Sequence, residues 1–411
     1  MERIYFDNNA TTRPRPQVTE KFMEVMKDVW GNPSSIHIDG QNARSIVEDS
    51  REKIARLLSA PGGPQEIVFT SSGSESDNTA IKGVAFYSKS ILKKGGHIIT
   101  TAIEHHAVLN VCQYLESYHG FDVTYLGVDE TGKVSPQDVA SAIRDDTVLV
   151  SVMYANNEIG TIEPVADIGK IVYNARKARA KKGNPLPVYF HVDAVQAAGK
   201  IPINLSGMKI DLLSISAHKF YGPKGVGVLW VRSSPQDDDG VKFHPLIHGG
   251  HHEANRRAST ENVPAIAAMA YALELAVGNM EEEEKRILDM RLRLEKGLFS
   301  KIPHIRLNGH PTERIAGTLN VSFDFLEAEG LAVALDMAGV SVSTGSACAS
   351  GSTEPSHVIT AIGCPPALAR GSIRFSLGIY NTMEEVDRVL EILPPIVARL
   401  REISPLYKKS K

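Results

Sequence analysis

A beat of short apolar runs separated by helical stretches most constrains what this chain can fold into. Strand-like runs recur at Glu66–Thr70, His97–Thr101, Val123–Leu126, Val148–Met153, Val188–Val192, Asp211–Ser216 and Gly227–Val231. Patterns at helical spacing lie between several of them, near residues 105–118, 135–144 and 164–182. The alternation predicts an α/β domain built on a largely parallel sheet with helices on its faces. Ligands of such sheets gather at the C-terminal ends of the strands. Polar residues of this chain fall at those ends: Glu104 and His105, Asn156 and Asn157, Asp193 and Gln196, then Ser216, His218 and Lys219.

Lys219 stands out among them. It leaves the end of an apolar strand beside Ser216 and His218, and the Gly/Pro-rich turn Gly222-Pro223 follows before the next apolar run. A lysine so placed suits covalent chemistry on a carbonyl, whereas a lone lysine is more commonly a surface residue. To act as a nucleophile it must lose its proton. An ordinary pKa near ~10.4 then has to fall by a few units, about 1.4 kcal/mol each, through burial or a cationic neighbour. Upstream, the turn Ser71-Ser-Gly73-Ser74-Glu75 follows a strand and precedes a helix expected from Ser76 to Tyr87. Free N–H groups at a helix start, with Ser hydroxyls and Gly73 for close approach, can cradle an anion. The same wording also fits an ordinary helix cap.

The remaining segments read as follows. Asn8, Asn9, Thr11 and Thr12 form either a capped turn or part of a site; helices are expected over Pro16–Trp30 and Gly40–Leu58, with a turn at Gly31-Asn32-Pro33 between. A long helix is expected over Val263–Phe299, interrupted near Gly278, with Glu281–Glu284 on its solvated face. Beyond Pro303 short strands and helices alternate in a smaller α+β unit. There Cys348 sits in the run from Ser343 to Ser352, almost all small or polar, a setting for an exposed thiol on a mobile loop rather than a packed one. Cys112 and Cys364 are expected to be structural. In Ser372–Ser376 alternation puts Arg374 on one side with the two serines, where it would be either a carboxylate clamp or a plain strand arginine. The group His244, His248, His251 and His252 lacks Cys or carboxylate partners at metal-ligand spacing, and no metal is expected.

Charge narrows the function classes. The 411 residues carry 45 basic and 48 acidic side chains, a net charge of -3 that offers no footprint for nucleic acid or an anionic membrane. No apolar run approaches the ~20 residues of a membrane span. Three cysteines without CxxC spacing make no disulfide framework, and a cytoplasmic protein is expected.

The motifs DNNATT at 7–12, GNPSSIH at 31–37, TSSGSESDN at 70–78, EHHAV at 104–108, NNEIG at 156–160, HVDAVQ at 191–196, SAHKFYGPKG at 216–225, GSACASGS at 345–352 and SIRFSLG at 372–378 together span nearly the whole chain. On these the chain resembles the cysteine desulfurases of the NifS/IscS type, pyridoxal-phosphate enzymes of the class-V aminotransferase group. The resemblance implies a large domain over residues 16–275 with a mostly parallel seven-stranded sheet. It implies a smaller one from 1–15 and 276–411 that carries the Cys loop, about residues 343–356.

It also implies roles. Lys219 would bond to the cofactor as a Schiff base, and Asp193 would pair with the pyridine nitrogen, keeping the ring an electron sink. His105 would stack on the ring, and Gln196 and Asn157 would hydrogen-bond near its hydroxyl. Gly73, Ser74, Ser216 and His218 would hold the phosphate, with Thr260 donated from a second subunit of a homodimer. Ser74 stands where many relatives have Thr, and Ser259 where Gly is common. Arg374, with Asn157 nearby, would clamp the carboxylate of L-cysteine. Lys219 would move protons at the substrate α-carbon, with His105 as a second acid/base. Cys348 would take the sulfur as a persulfide and leave alanine, then pass the sulfur to an iron–sulfur scaffold or another acceptor protein. The GSACASGS wording matches the long-loop branch of the family. A selenocysteine lyase or an aminotransferase of the same fold is the alternative.

Overall fold

The computed structural model describes residues 3–93, 96–183, 186–233, 240–344 and 355–408. Seven strands form the main sheet: β1 Ile67–Thr70, β2 His97–Thr101, β3 Asp122–Leu126, β4 Thr147–Ser151, β5 Tyr189–Asp193, β6 Leu212–Ser216 and β7 Gly227–Val231. Their order is β1-β7-β6-β5-β4-β2-β3. Strands β6, β5, β4, β2 and β3 pair in parallel, and β7 is antiparallel to both of its neighbours. Two antiparallel steps cancel, so β1 runs with the parallel set, and its C-terminal end opens at the same edge as theirs. Every residue of β5, β6 and β7 is buried, as expected of strands covered by helices on both faces. Each fully buried large side chain, such as Phe190, contributes roughly 2–3 kcal/mol through lost apolar exposure.

The expected helix start at Ser76 moves forward. Ser72 is the N-cap, its hydroxyl accepting from Glu75 N at 3.1 Å, and the helix runs Gly73–Leu92. Gly73 and Ser74 are therefore first-turn residues, with N–H groups aimed off the helix end. The long helical pattern is two helices, Val263–Gly278 and Met280–Lys301, bent by 70°. The first is apolar nearly all round because it packs against helices Pro16–Asp28 and Ile38–Leu57. The second opens with Glu281, Glu282 and Glu283, charges that suit a helix N-terminus. Glu283 is not simply solvated, since it accepts from Arg15 at 2.6 and 2.9 Å.

A four-stranded antiparallel sheet forms the smaller unit. Its middle strands are Thr318–Phe323 and Ser372–Ser376, flanked by Ile305–Asn308 and Ser343–Thr344. Ile373 and Phe375 point into a separate core with Leu319, Leu294 and Leu393, and that core includes Ile4 and Phe6 from the start of the chain. Ile4–Tyr5 pairs in parallel with Val340–Ser341, and Asp7 bridges to Ser376. The first residues thus pack with the smaller unit, in a two-stranded ladder of their own, and then cross to the main sheet. No single helix among the described residues is long and apolar enough to cross a membrane.

Candidate active site

A cavity of about 510 Å³ opens where the C-terminal strand ends meet the smaller sheet. Gly73, Ser74, His105, Asn157, Asp193, Gln196, Ser216, His218, Lys219 and Arg374 all line it. Thr260 does not; it is exposed elsewhere on the surface. Cys348 lies outside the described residues.

The turn after β6 is built to present Lys219. One tight turn, Ala217–Lys219, follows the strand, and Tyr221 takes a positive φ of 66°. Gly222 closes the turn because a Cβ there would meet Ala217 O at 2.8 Å. The start of the chain braces it from outside: Thr12 Oγ1 donates to His218 O at 2.9 Å and accepts from Tyr221 N at 2.8 Å. Thr11 Oγ1 lies 3.1 Å from His218 Nδ1. The Lys219 amine donates to the carbonyls of Asn9 at 2.7 Å and Ala10 at 2.8 Å.

Buried acids form the floor. Asp193 Oδ1 accepts from Val195 N at 2.9 Å, and burial pushes its carboxyl up to about 6 despite that bond and the nearby Lys219 charge. Asp77 lies beside it, held well above the carboxylate range by burial and by Asp193, and its Oδ1 has no hydrogen-bond partner. Two such acids make a place where a cationic or N–H-bearing ring atom is favoured. His105 caps the helix His106–His119, its Nδ1 accepting from Ala107 N at 3.1 Å. Burial, then Lys219 and the histidines His106 and His357, lower it to about 4, so the ring is neutral at neutral pH. Burial and Lys219 lower His218 to about 4 as well.

Two further features face the cavity. A Cβ on Gly73 would meet Val195 Cγ2 at 2.6 Å, so only glycine lets the helix start approach so closely. On the opposite wall Arg374 donates to Asn157 O and to Asp7 Oδ1, both at 2.8 Å, while its buried Nε has no partner. Sequence reasoning did not single out Asp7, Asp77, Glu158 or Lys200. Glu158 lies on the cavity wall, accepts from Ser356 Oγ at 2.6 Å, and is raised by burial to about 7. Asp7, Asp77 and Glu158 sit inside the quoted motifs, the one signal that pointed to them.

The model of the class-V aminotransferase family matches residues 4–389. The chain belongs to that family. Among its relatives a protein named cysteine desulfurase IscS from Methanosarcina thermophila is 50% identical over 99% of this chain and 95% of its own length. A solved NifS-like protein superposes with a TM-score of 0.86 at 40% identity, covering 97% of this chain and all of that one. A structure described as SspA in complex with cysteine has a TM-score of 0.76 at 37% identity, covering 92% of this chain and all of that one. Within the class-V aminotransferases these likenesses place the chain with the cysteine desulfurases rather than with transaminases of the same fold. The family depends on pyridoxal phosphate. The cavity fits that group: an amine, a buried acid floor and a glycine-tight helix start face it from separate walls.

Proposed function

We propose that this chain removes the sulfur of L-cysteine, leaves L-alanine, and carries the sulfur on Cys348 as a persulfide for an acceptor protein. The observation that carries the reading is the convergence of Lys219, Asp193 and Arg374 on one cavity in a chain so similar to cysteine desulfurases. Pyridoxal phosphate, when bound, supplies an electron sink for negative charge developing on the substrate carbons. Lys219 would hold it covalently, and Asp193 would keep its ring nitrogen protonated. Gly73, Ser74, Ser216 and His218 would hold the phosphate, and Gln196 and Asn157 would orient the ring hydroxyl.

Arg374 receives the substrate carboxylate, for which its unpartnered Nε is the available donor. Lys219, released from the cofactor, moves the proton at the α-carbon. His105, neutral above about pH 4, accepts from Ala107 N at Nδ1 and so carries its proton on Nε2, where it is able to donate. The Cys348 thiolate attacks the substrate sulfur: an S–S bond forms as the Cβ–S bond breaks, the electron pair stays with carbon, and protonation there completes alanine. Thr260, exposed on its own chain, would reach the phosphate of a partner subunit in a homodimer. The C-terminal segment from Pro405 would contact a scaffold protein, which deleting residues 405–411 tests.

The assay is alanine and sulfide production from L-cysteine by the cofactor-loaded protein, with a thiol reductant present. Wild type makes both in equal amounts, and Cys348→Ala makes neither. Equal sulfide from the variant would instead indicate a lyase that needs no thiol of its own.

A further inference from the structure

Behind the cavity wall lies a second lysine. Lys200 lies beyond the short turn segment that follows β5, placed there by Gly199, whose φ is +72° and where a Cβ would meet Ala276 Cβ at 2.8 Å and Phe220 Cβ at 2.9 Å, leaving no room for a side chain. Lys200 Nζ donates to Gln196 Oε1 at 2.8 Å and lies 3.4 Å from Asn9 Oδ1. Gln196 Nε2 in turn donates to Asn9 O at 2.9 Å, the same oxygen that accepts from Lys219 at 2.7 Å. An amide has one acceptor end and one donor end, and an ammonium group only donates. With Lys200 at one side and the Asn9 carbonyl at the other, Gln196 has a single orientation that makes both bonds; the flipped amide would lose both.

We propose that Lys200 is a positioning residue of the active site, fixing the Gln196 amide and setting a second positive charge beside Lys219. The inference rests on the reading of Lys219 and Gln196 as cofactor-contacting residues. Withdrawal from water, then the charges of Lys219 and Arg374, lower the Lys200 amine to about 7. Coulomb repulsion is mutual, so a charged Lys200 opposes a proton on the Lys219 nitrogen as well. The other titratable groups near Lys200 are His218, which its charge also disfavours in the protonated form, and Tyr221, Glu283 and Glu284, which line a small cavity on its far side. Tyr221 is raised by burial to about 12 and carries no charge near neutral pH. Glu283 is already paired with Arg15.

The test compares wild type with Lys200→Met and Lys200→Arg, each as the full-length protein loaded with pyridoxal phosphate. The visible band of the bound cofactor is titrated against pH. Lys200→Met is expected to move the midpoint up by about one pH unit, because a neighbouring positive charge is gone. Lys200→Arg, which holds the charge at every pH, is expected to leave the midpoint at or below that of wild type. A purely structural lysine would change melting temperature without moving the midpoint, so an unmoved midpoint in Lys200→Met overturns the proposal.

A second readout needs no cofactor. The rate of acetylation of Lys219 in the apoprotein, followed by peptide mass spectrometry across pH, should show the same upward shift in Lys200→Met. If wild type never takes colour from pyridoxal phosphate, the cofactor reading fails. The Lys219 labelling midpoint then still decides the charge relation, and its constancy in Lys200→Met would overturn it.

Discussion

The Arg374 guanidinium donates to the Asp7 carboxylate at 2.8 Å, joining a central strand of the smaller sheet to the opening residues of the chain. A second donor, to Asn157 O, ties the same side chain to the loop beyond the main sheet's edge. The proposed clamp is therefore positioned from both halves before any substrate arrives, with Asp7 as the internal carboxylate that a substrate carboxylate must rival.

Replacing Arg374 with Lys keeps the charge and loses the planar fork. The KM for L-cysteine should rise by about 100-fold, near 2.7 kcal/mol, with a smaller change in kcat, since carboxylate binding serves ground and transition states alike. Asp7→Asn removes the rival charge, and steady-state kinetics should show KM falling a few-fold. A KM that rises in Asp7→Asn would mean that the carboxylate's bracing of Arg374 outweighs its competition.

Lys219→Ala should leave a folded protein that fails to retain pyridoxal phosphate through gel filtration and loses at least about 10³-fold in turnover. Because Lys219 also bonds to the Asn9 and Ala10 carbonyls, melting temperature is the control that separates lost chemistry from a loosened N-terminal segment.

Native thiol labelling should count one reactive cysteine. Cys112 and Cys364 are buried, and burial, then Glu104 and Glu116, push the Cys112 thiol far above its usual range. Alkylation without denaturant should add one equivalent, and peptide mapping should find it on Cys348. Two or more equivalents on the folded protein would contradict the burial of the other two.

Stability should respond to pH through Glu163. Burial raises its carboxyl to about 8, against a bond from Val134 N and the charge of Lys133. A carboxyl raised in the folded state binds a proton that the unfolded chain releases near ~4.3, so its contribution is full below that value and fades as pH climbs through the folded value. Across that window the native state holds up to one extra proton, a slope of about 1.4 kcal/mol per pH unit. Glu163→Gln keeps an acceptor for Val134 N and should remove about that slope from denaturant-unfolding free energies measured between pH 5 and 8.

Much of this was legible in the sequence, for physical reasons that vary by segment. Strands such as His97–Thr101, Gly227–Val231 and Ser372–Ser376 fall where their β-rich composition put them, because they are buried along their length and sharply bounded. The helix start at Gly73 was misplaced because three serines compete for the cap, and only the Ser72 backbone geometry decides among them. The N-terminal segment hid more. Asn9 serves Lys219 and Gln196 through its backbone carbonyl, and a carbonyl leaves no trace in residue identity. Lys200 carries no signal in the sequence because its partners come from the first ten residues and from Gln196, one turn back. Buried acids such as Asp77 and Glu163 likewise look like surface charges until the packing around them is known.

The central claim is that Cys348 takes the sulfur of L-cysteine while Lys219 holds the cofactor. Its most direct test is intact-protein mass spectrometry of the loaded enzyme after brief exposure to L-cysteine without reductant. A gain of one sulfur atom, mapped to Cys348 and absent from Cys348→Ala and Lys219→Ala, is the predicted result. Alanine formed with no added sulfur on Cys348 would contradict the account.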